Sequence, residues 1–418
     1  MVRTSLEELI SVTSGRLLCG DPSVFVDSVV TDSREGRADA LYIPIIGATN
    51  DGHVFIGNAL ENGCSGTLVS DEKYYEEYRK SHSNDYSEDA SGNHPKSASE
   101  NDLGNDRFFL LVDDTEKAFH EIAKSARKKL SLKAVGVTGS VGKTTTREMI
   151  AAALSGSFAT EKTGKNYNNR FGLPLTLCQL PEDAELAVLE LGMNVRGELG
   201  TISALCDLDC AVITNIGVAH IEYYGTQDEI TKEKLTVTRG FDGNPEEKAL
   251  ILNADDPYLM KYKNRTGFPV ILYGTDEEAA YRVTNVRMEN GKYVYDLYIN
   301  GEFRLSSSLS VLGRHNLLNA AAAFAVADRY GADLEKAAEG MAAFKGYQKR
   351  LERIEHNGIL IIDDTYNASP SSMKAGLDVL CDLSYGDGTG KKIAVLGDMF
   401  ELGDQTKGFH YSVGEYAA

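Results

Sequence analysis

The sequence predicts an α/β protein of three units: a small α/β N-terminal domain, a central P-loop parallel sheet, and a Rossmann-like C-terminal domain. Three observations point there. From residue 133 on, short apolar runs alternate with helical stretches, the pattern of a parallel sheet covered on both faces. A glycine-rich segment, "KAVGVTGSVGKTTTREM" (133–149), stands between the first such run and the first such helix. Near 314 the strand–helix rhythm starts again after three alternating strands at 281–311.

In the N-terminal part, 5–12 and 55–63 read as helices and 24–31, 41–46 and 66–70 as strands. Residues 73–107 are rich in Ser, Asn, Asp and Glu, and most of this stretch is expected to be a disordered insertion. A strand at 107–114 and a helix at 115–130 close a domain over 1–131. The central domain is placed at 132–313, with buried strands "LAVLELGM" (186–193), "CAVITNIG" (210–217) and "ALILNADDP" (249–257). The last, 314–418, opens with the helix "NLLNAAAAFAVADRYG" and contains two expected strands, 358–367 and 391–399. Its small strand count and uncapped final helix read as a truncated domain.

The chain has 418 residues, 42% of them apolar and 25% charged, enough to bury sizeable cores. A net charge of −19 excludes general nucleic-acid binding. The six cysteines have no metal-site spacing and read as free thiols of a reducing compartment. The N-terminus lacks a signal-peptide pattern and no window approaches a membrane span, so cytoplasmic location is expected.

The glycine-rich loop departs from the common P-loop spacing: the first glycine would fall at 137, which is Val137. Its strand–loop–helix setting still suits phosphate binding. Gly139 and Gly142 allow close backbone approach, the helix start offers N–H groups, Lys143 reaches the β and γ phosphates, and Thr144 or Thr145 is a Mg²⁺ ligand. Glu190 ends a buried strand, where parallel sheets bind ligands, and carboxylate oxygen suits Mg²⁺. His220 follows another strand; taken alone it reads as a structural histidine, and Lys232 and Lys234 as a solvated helix face. "TGKNYNNRFGLP" (163–174) concentrates donors at Asn166, Asn168, Asn169 and Arg170, which suits anionic ligands or an ordinary polar loop equally. "TDSR" (31–34) and "GATNDGHVF" (47–55) carry the same two readings.

Together, "DSR", "DGHVF", "TGSVGKTT", "NYNNRFGLP", "ELGMNVRGELG", "GRHNLLNAAAA" and "DDTYNASPSSM" resemble, in order, the motifs of the ATP-dependent Mur ligase family. The resemblance spans the chain apart from 73–107, and "TGSVGKT" (138–144) matches the family's shorter loop. It implies a ligase that uses ATP to join D-Ala-D-Ala to UDP-N-acetylmuramoyl-tripeptide through an acyl phosphate, acting as a monomer in cell-wall synthesis. The motifs of the sister ligase that adds the third residue are absent. Thr365 and Ser369 depart mildly from the usual Ser-Tyr-Asn-Ala-Asn-Pro, as does Lys349 before Arg350.

The resemblance also implies roles. Thr138, Gly139, Ser140, Gly142, Lys143, Thr144 and Thr145 would hold the ATP phosphates, Asn316 and Asn319 the adenine, and Arg350 and Asp364 the nucleotide from the last domain. Thr144 and Glu190 would hold one Mg²⁺. A second would sit on His220 and, fourteen residues on, a carbamylated Lys234. Ser33 and Arg34 would meet the UDP end, and Asn166, Asn168 and Asn169 the muramoyl-peptide. The alternatives are a sister Mur ligase or folylpolyglutamate-synthase-like ligase, and a P-loop ATP-binding switch that ligates nothing.

Overall fold

The computed structural model describes residues 1–47, 49–82, 107–383 and 390–418. The chain divides into two compact units: residues 1–131 with 171–183, and residues 132–170 with 184–418.

The first unit is built on a five-stranded sheet in the order Arg16–Cys19, Phe108–Leu111, Gly66–Val69, Ala40–Tyr42, Ser28–Val30. Only the Arg16–Cys19 edge is antiparallel. Helix starts are capped by side chains: Ser5 accepts from the backbone N–H of Glu8, and Asp114 from those of Glu116 and Lys117. The expected insertion is corrected in its first part. Glu72–His82 is a helix, and Tyr75 and Tyr78, three apart, turn one face onto Phe109 with ring centroids 5.1 Å away in both pairs. Buried aromatic area outweighs the polar composition there. Residues 83–106 lie outside the described residues.

The second unit holds a nine-stranded sheet. Its order is Glu302–Leu309, Lys292–Ile299, Tyr281–Glu289, Val270–Gly274, Ala249–Asn253, Cys210–Ile213, Lys133–Thr138, Leu186–Glu190, Thr160–Lys162. From Tyr281–Glu289 to Thr160–Lys162 all neighbours are parallel; the last two pairings, toward Glu302–Leu309, are antiparallel. The architecture is therefore mixed α/β with a large central parallel sheet. Lys133–Thr138 lies between Cys210–Ile213 and Leu186–Glu190, so the loops that leave these three strands open at one sheet edge. Helices Lys143–Leu154 and His315–Arg329 pack in the same core as the sheet, through Met149, Ile150, Leu317 and Phe324.

Two strands not expected from the sequence, Val270–Gly274 and the short edge strand Thr160–Lys162, complete the parallel run. Beyond residue 349, Glu352–His356 and Ile359–Asp363 form an antiparallel pair, followed by helices Pro370–Asp382 and Thr406–Ala417. Residues 391–399, expected to be a strand, are not one. Ile393 and Val395 are exposed, and among the described residues no strand pairs with this segment to satisfy its N–H and C=O groups.

Candidate active site

The loop 139–142 leaves Lys133–Thr138 and enters helix Lys143–Leu154. Its glycines are required by geometry. Gly139 has φ +151°, and a Cβ there would stand 1.8 Å from the Thr214 hydroxyl; Gly142 has φ +88° as the helix N-cap. Residues after the neighbouring strand brace the loop. Ser140 N–H donates to the Asn215 carbonyl (3.0 Å) and Val141 N–H to Asn215 Oδ1 (3.0 Å). Thr214 Oγ1 and Asn215 Nδ2 both donate to the Val141 carbonyl, at 2.6 and 2.9 Å. The loop is thus fastened by four hydrogen bonds from the chain itself. The buried hydroxyls of Thr138 and Ser140 have no partner, as suits groups that a bound phosphate would satisfy.

Lys143 folds back to donate to the Gly139 carbonyl (2.9 Å). Burial lowers the pKa of its ammonium, nearby Glu190 opposes this, and Arg350 adds to it. Thr144 is buried and Thr145 half-buried on the first turn. Behind the helix, Thr146 Oγ1 donates to Asn319 Oδ1 (3.0 Å), Asn319 Nδ2 to Asn316 Oδ1 (2.8 Å), and Asn316 Nδ2 to the Leu312 carbonyl (2.6 Å). Both predicted adenine residues therefore stand beside the loop's helix, in a continuous buried chain.

Glu190, 2% exposed, is gripped from two sides: Arg147 Nη1 donates to Oε2 (3.1 Å) and Asn168 Nδ2 to Oε1 (2.7 Å). Arg147 also pairs with Glu148 (2.5 Å). The sequence reading missed Arg147, although it stands one helical turn after Lys143. Asn168 is brought to the site; Asn166 is exposed, and its carbonyl accepts from Asn168 N–H (2.8 Å). Asn169 is half-buried in the same loop.

Lys232 and Lys234 part company on one helix, Gln227–Leu235. Lys232 is exposed and pairs with Glu229 (2.6 Å). Lys234 is 1% exposed, its Nζ meets Met193 Sδ at 3.7 Å, and among the described residues no carboxylate pairs with it. Burial, and then repulsion from Lys143, lower its pKa far below that of an ordinary lysine, against a smaller pull from Glu233. His220 lies within the field of both lysines. Burial lowers its pKa, and Glu401 opposes this from 2.5 Å. Lys143, Glu190, His220 and Lys234 thus gather around one loop.

Arg350 lies over the Tyr366 ring (4.0 Å), and its buried Nε has no partner. Asp364 Oδ1 accepts from Leu351 N–H (3.2 Å), and desolvation pushes its pKa up to about 6. Ser33 and Arg34 belong to the first unit: Ser33 is buried at the start of a short turn, and Arg34 pairs with Asp32 (2.6 Å).

Among the described residues no group of three or more His, Cys, Asp or Glu is arranged to hold a metal. Mg²⁺ usually takes one or two carboxylates together with phosphate oxygens. A buried carboxylate beside a phosphate-type loop fits that donor set.

A family model described as the Mur ligase middle domain matches residues 137–327, and one for the Mur ligase glutamate ligase domain matches 349–418. A UDP-N-acetylmuramoyl-tripeptide–D-alanyl-D-alanine ligase of Bacillus subtilis is 36% identical over 99% of this chain and 82% of its own length. The chain belongs to the Mur ligase family. The Escherichia coli ligase of the same name is 31% identical over the whole chain and 84% of its own length. A crystal structure of MurF from Acinetobacter baumannii superposes with a TM-score of 0.84 at 28% identity, over the whole chain and 83% of that one. MurF from Thermotoga maritima in complex with ADP gives 0.77 at 27% identity, over 93% and 81%. A Mycobacterium tuberculosis folylpolyglutamate synthase shares the fold alone, with a TM-score of 0.54 at 18% identity over 64% of this chain and 70% of that one. The short loop "TGSVGKT" falls inside the matched middle domain of this Mur ligase.

Proposed function

We propose that this Mur ligase joins D-alanyl-D-alanine to UDP-N-acetylmuramoyl-tripeptide with cleavage of ATP to ADP and phosphate, in peptidoglycan synthesis. One observation carries the reading: the relatives described above match over nearly the whole chain and bear one activity. The P-loop geometry around Lys143 supports the use of ATP.

Hydroxide is a poor leaving group, so the carboxylate must be activated. A carboxylate oxygen of the tripeptide attacks the γ-phosphorus. The bond to ADP breaks and an acyl phosphate forms. The dipeptide amine then attacks the acyl carbon and loses a proton, and phosphate leaves with the C–O electron pair. In the first step the chain contributes positioning and charge. Gly139, Gly142, Lys143 and Thr144, with Thr138, Ser140 and Thr145, hold the phosphates. Asn316 and Asn319 approach the adenine, and Arg350 and Asp364 contact the nucleotide. Thr144 and Glu190 would hold one Mg²⁺, and His220 and a carbamylated Lys234 a second; bound there, the ions neutralise charge on phosphate and carboxylate.

Burial supports the carbamate. A neutral amine attacks CO₂, an N–C bond forms, and one proton is released. An ordinary lysine is protonated at neutral pH, whereas Lys234 is depressed by desolvation. The product is an oxygen donor that Mg²⁺ accepts.

In this reading Ser33 and Arg34 meet the UDP end and Asn166, Asn168 and Asn169 the muramoyl-peptide. The three substrates are divided among residues 1–131, 132–313 and 314–418, and the enzyme acts as a cytoplasmic monomer. No helix among the described residues is long and apolar enough to cross a membrane. The test is phosphate release with substrates added singly and together. Release that needs both UDP-muramoyl-tripeptide and D-Ala-D-Ala is expected. Release with ATP alone would make the protein a switch, and release with a single amino acid a sister ligase.

A further inference from the structure

The segment around residues 401–403 crosses the short helix that His220 opens. Glu222 N–H donates to the Glu401 carbonyl (3.3 Å), and a Cβ on Gly403 would stand 3.5 Å from Glu222. This docking brings Glu401 Oε2 to 2.5 Å from His220 Nδ1. The carboxylate and Nδ1 attract by charge and share a hydrogen bond bent away from ideal geometry. Both residues hold positive φ, +65° for His220 and +61° for Glu401. Non-glycine residues keep such conformations where surrounding contacts over-determine them. The other titratable groups that act on the ring are Lys234 and Lys143, neither of them a carboxylate.

We infer that Glu401 is a positioning residue for His220: it holds the Nδ1 side of the ring, so that Nε2 is the nitrogen presented to a divalent cation. The inference rests on the reading of His220 as a ligand in the proposed ligase. A ligating imidazole that gives its other N–H to a carboxylate is fixed in orientation and tautomer and made a stronger base, and loss of such a partner typically weakens metal binding about 10–100-fold. The His220 side chain is 20% exposed and that of Glu401 40%. An exposed ion pair of no further consequence would leave cation binding unchanged.

The test counts Mn²⁺ bound to the full chain in the presence of ADP, by electron paramagnetic resonance of the free ion. Glu401→Gln should weaken one class of Mn²⁺ site by about 10–100-fold, and Glu401→Asp should recover part of the loss. His220→Ala should remove that class, and the double variant should match His220→Ala alone. Metal-free thermal unfolding shows whether each variant is folded. Wild-type Mn²⁺ binding in Glu401→Gln, with His220→Ala impaired, overturns the role of Glu401 alone. A further loss in the double variant does so too, because Glu401 would then act independently of the ring. Wild-type binding in His220→Ala overturns both this inference and the ligand reading beneath it.

Discussion

Two lysines two residues apart on one helix show how burial separates chemistry that composition leaves equal. Lys232 reaches water and a carboxylate, so its ammonium is satisfied. Lys234 has a thioether for a neighbour, and desolvation followed by repulsion from Lys143 favours its neutral amine. The neutral amine is the form that takes up CO₂. Because its pKa is lowered, Lys234 reaches that form at a lower pH than a surface lysine does. A carbamate signal should therefore appear by NMR with ¹³C-labelled CO₂ near neutral pH, fade on acidification, and be absent from Lys234→Ala. That variant should lose turnover on the order of 10²-fold or more, with partial recovery on adding a short carboxylic acid. Wild-type turnover at low CO₂ in Lys234→Ala would remove the carbamate from the site.

At the scale of elements, the phosphate loop is held by the strand beside it. Thr214 and Asn215, just past that strand, fasten it through four hydrogen bonds. The two loop glycines should respond differently to alanine. At Gly139 the new methyl would stand 1.8 Å from Thr214 Oγ1, which breaks the brace. At Gly142 the nearest atom is Asn319 Oδ1 at 3.3 Å, and the main cost is a left-handed backbone, about 1–2 kcal/mol. Gly139→Ala should abolish ADP binding measured by calorimetry and lower thermal stability more than Gly142→Ala does. Equal effects of the two substitutions would show that the brace from Thr214 is unimportant.

For the whole molecule, the parallel sheet was legible because strands buried on both faces read as continuous apolar runs, as in Leu186–Glu190 and Ala249–Asn253. The polar edge strand Thr160–Lys162 carries no such signal, and the run at 391–399 carries one without a strand to pair with. Helix Glu72–His82 hid in polar composition, its signal reduced to two tyrosines at helical spacing. In the candidate site, the loop could be read from its glycine-rich run between a strand and a helix, although its spacing departs from the common pattern. The grip of Arg147 on Glu190 and the approach of Glu401 to His220 depend on long-range contacts that no local pattern encodes. The cores are likewise separate: Tyr42, Leu60 and Phe109 belong to one, and Ile150, Val188 and Phe324 to another. The proposed nucleotide and cation residues, from Thr138 to Asp364, all lie in the second unit. Scanning calorimetry should resolve two transitions, one for each core. ADP with Mg²⁺ at about 100 times its dissociation constant should stabilise the larger unit by about 2.7 kcal/mol and leave the smaller where it is. Lys143→Ala should lose that shift while keeping both transitions. A nucleotide-induced shift of the smaller unit's transition would mean that residues 1–131 or 171–183 contribute to the nucleotide site.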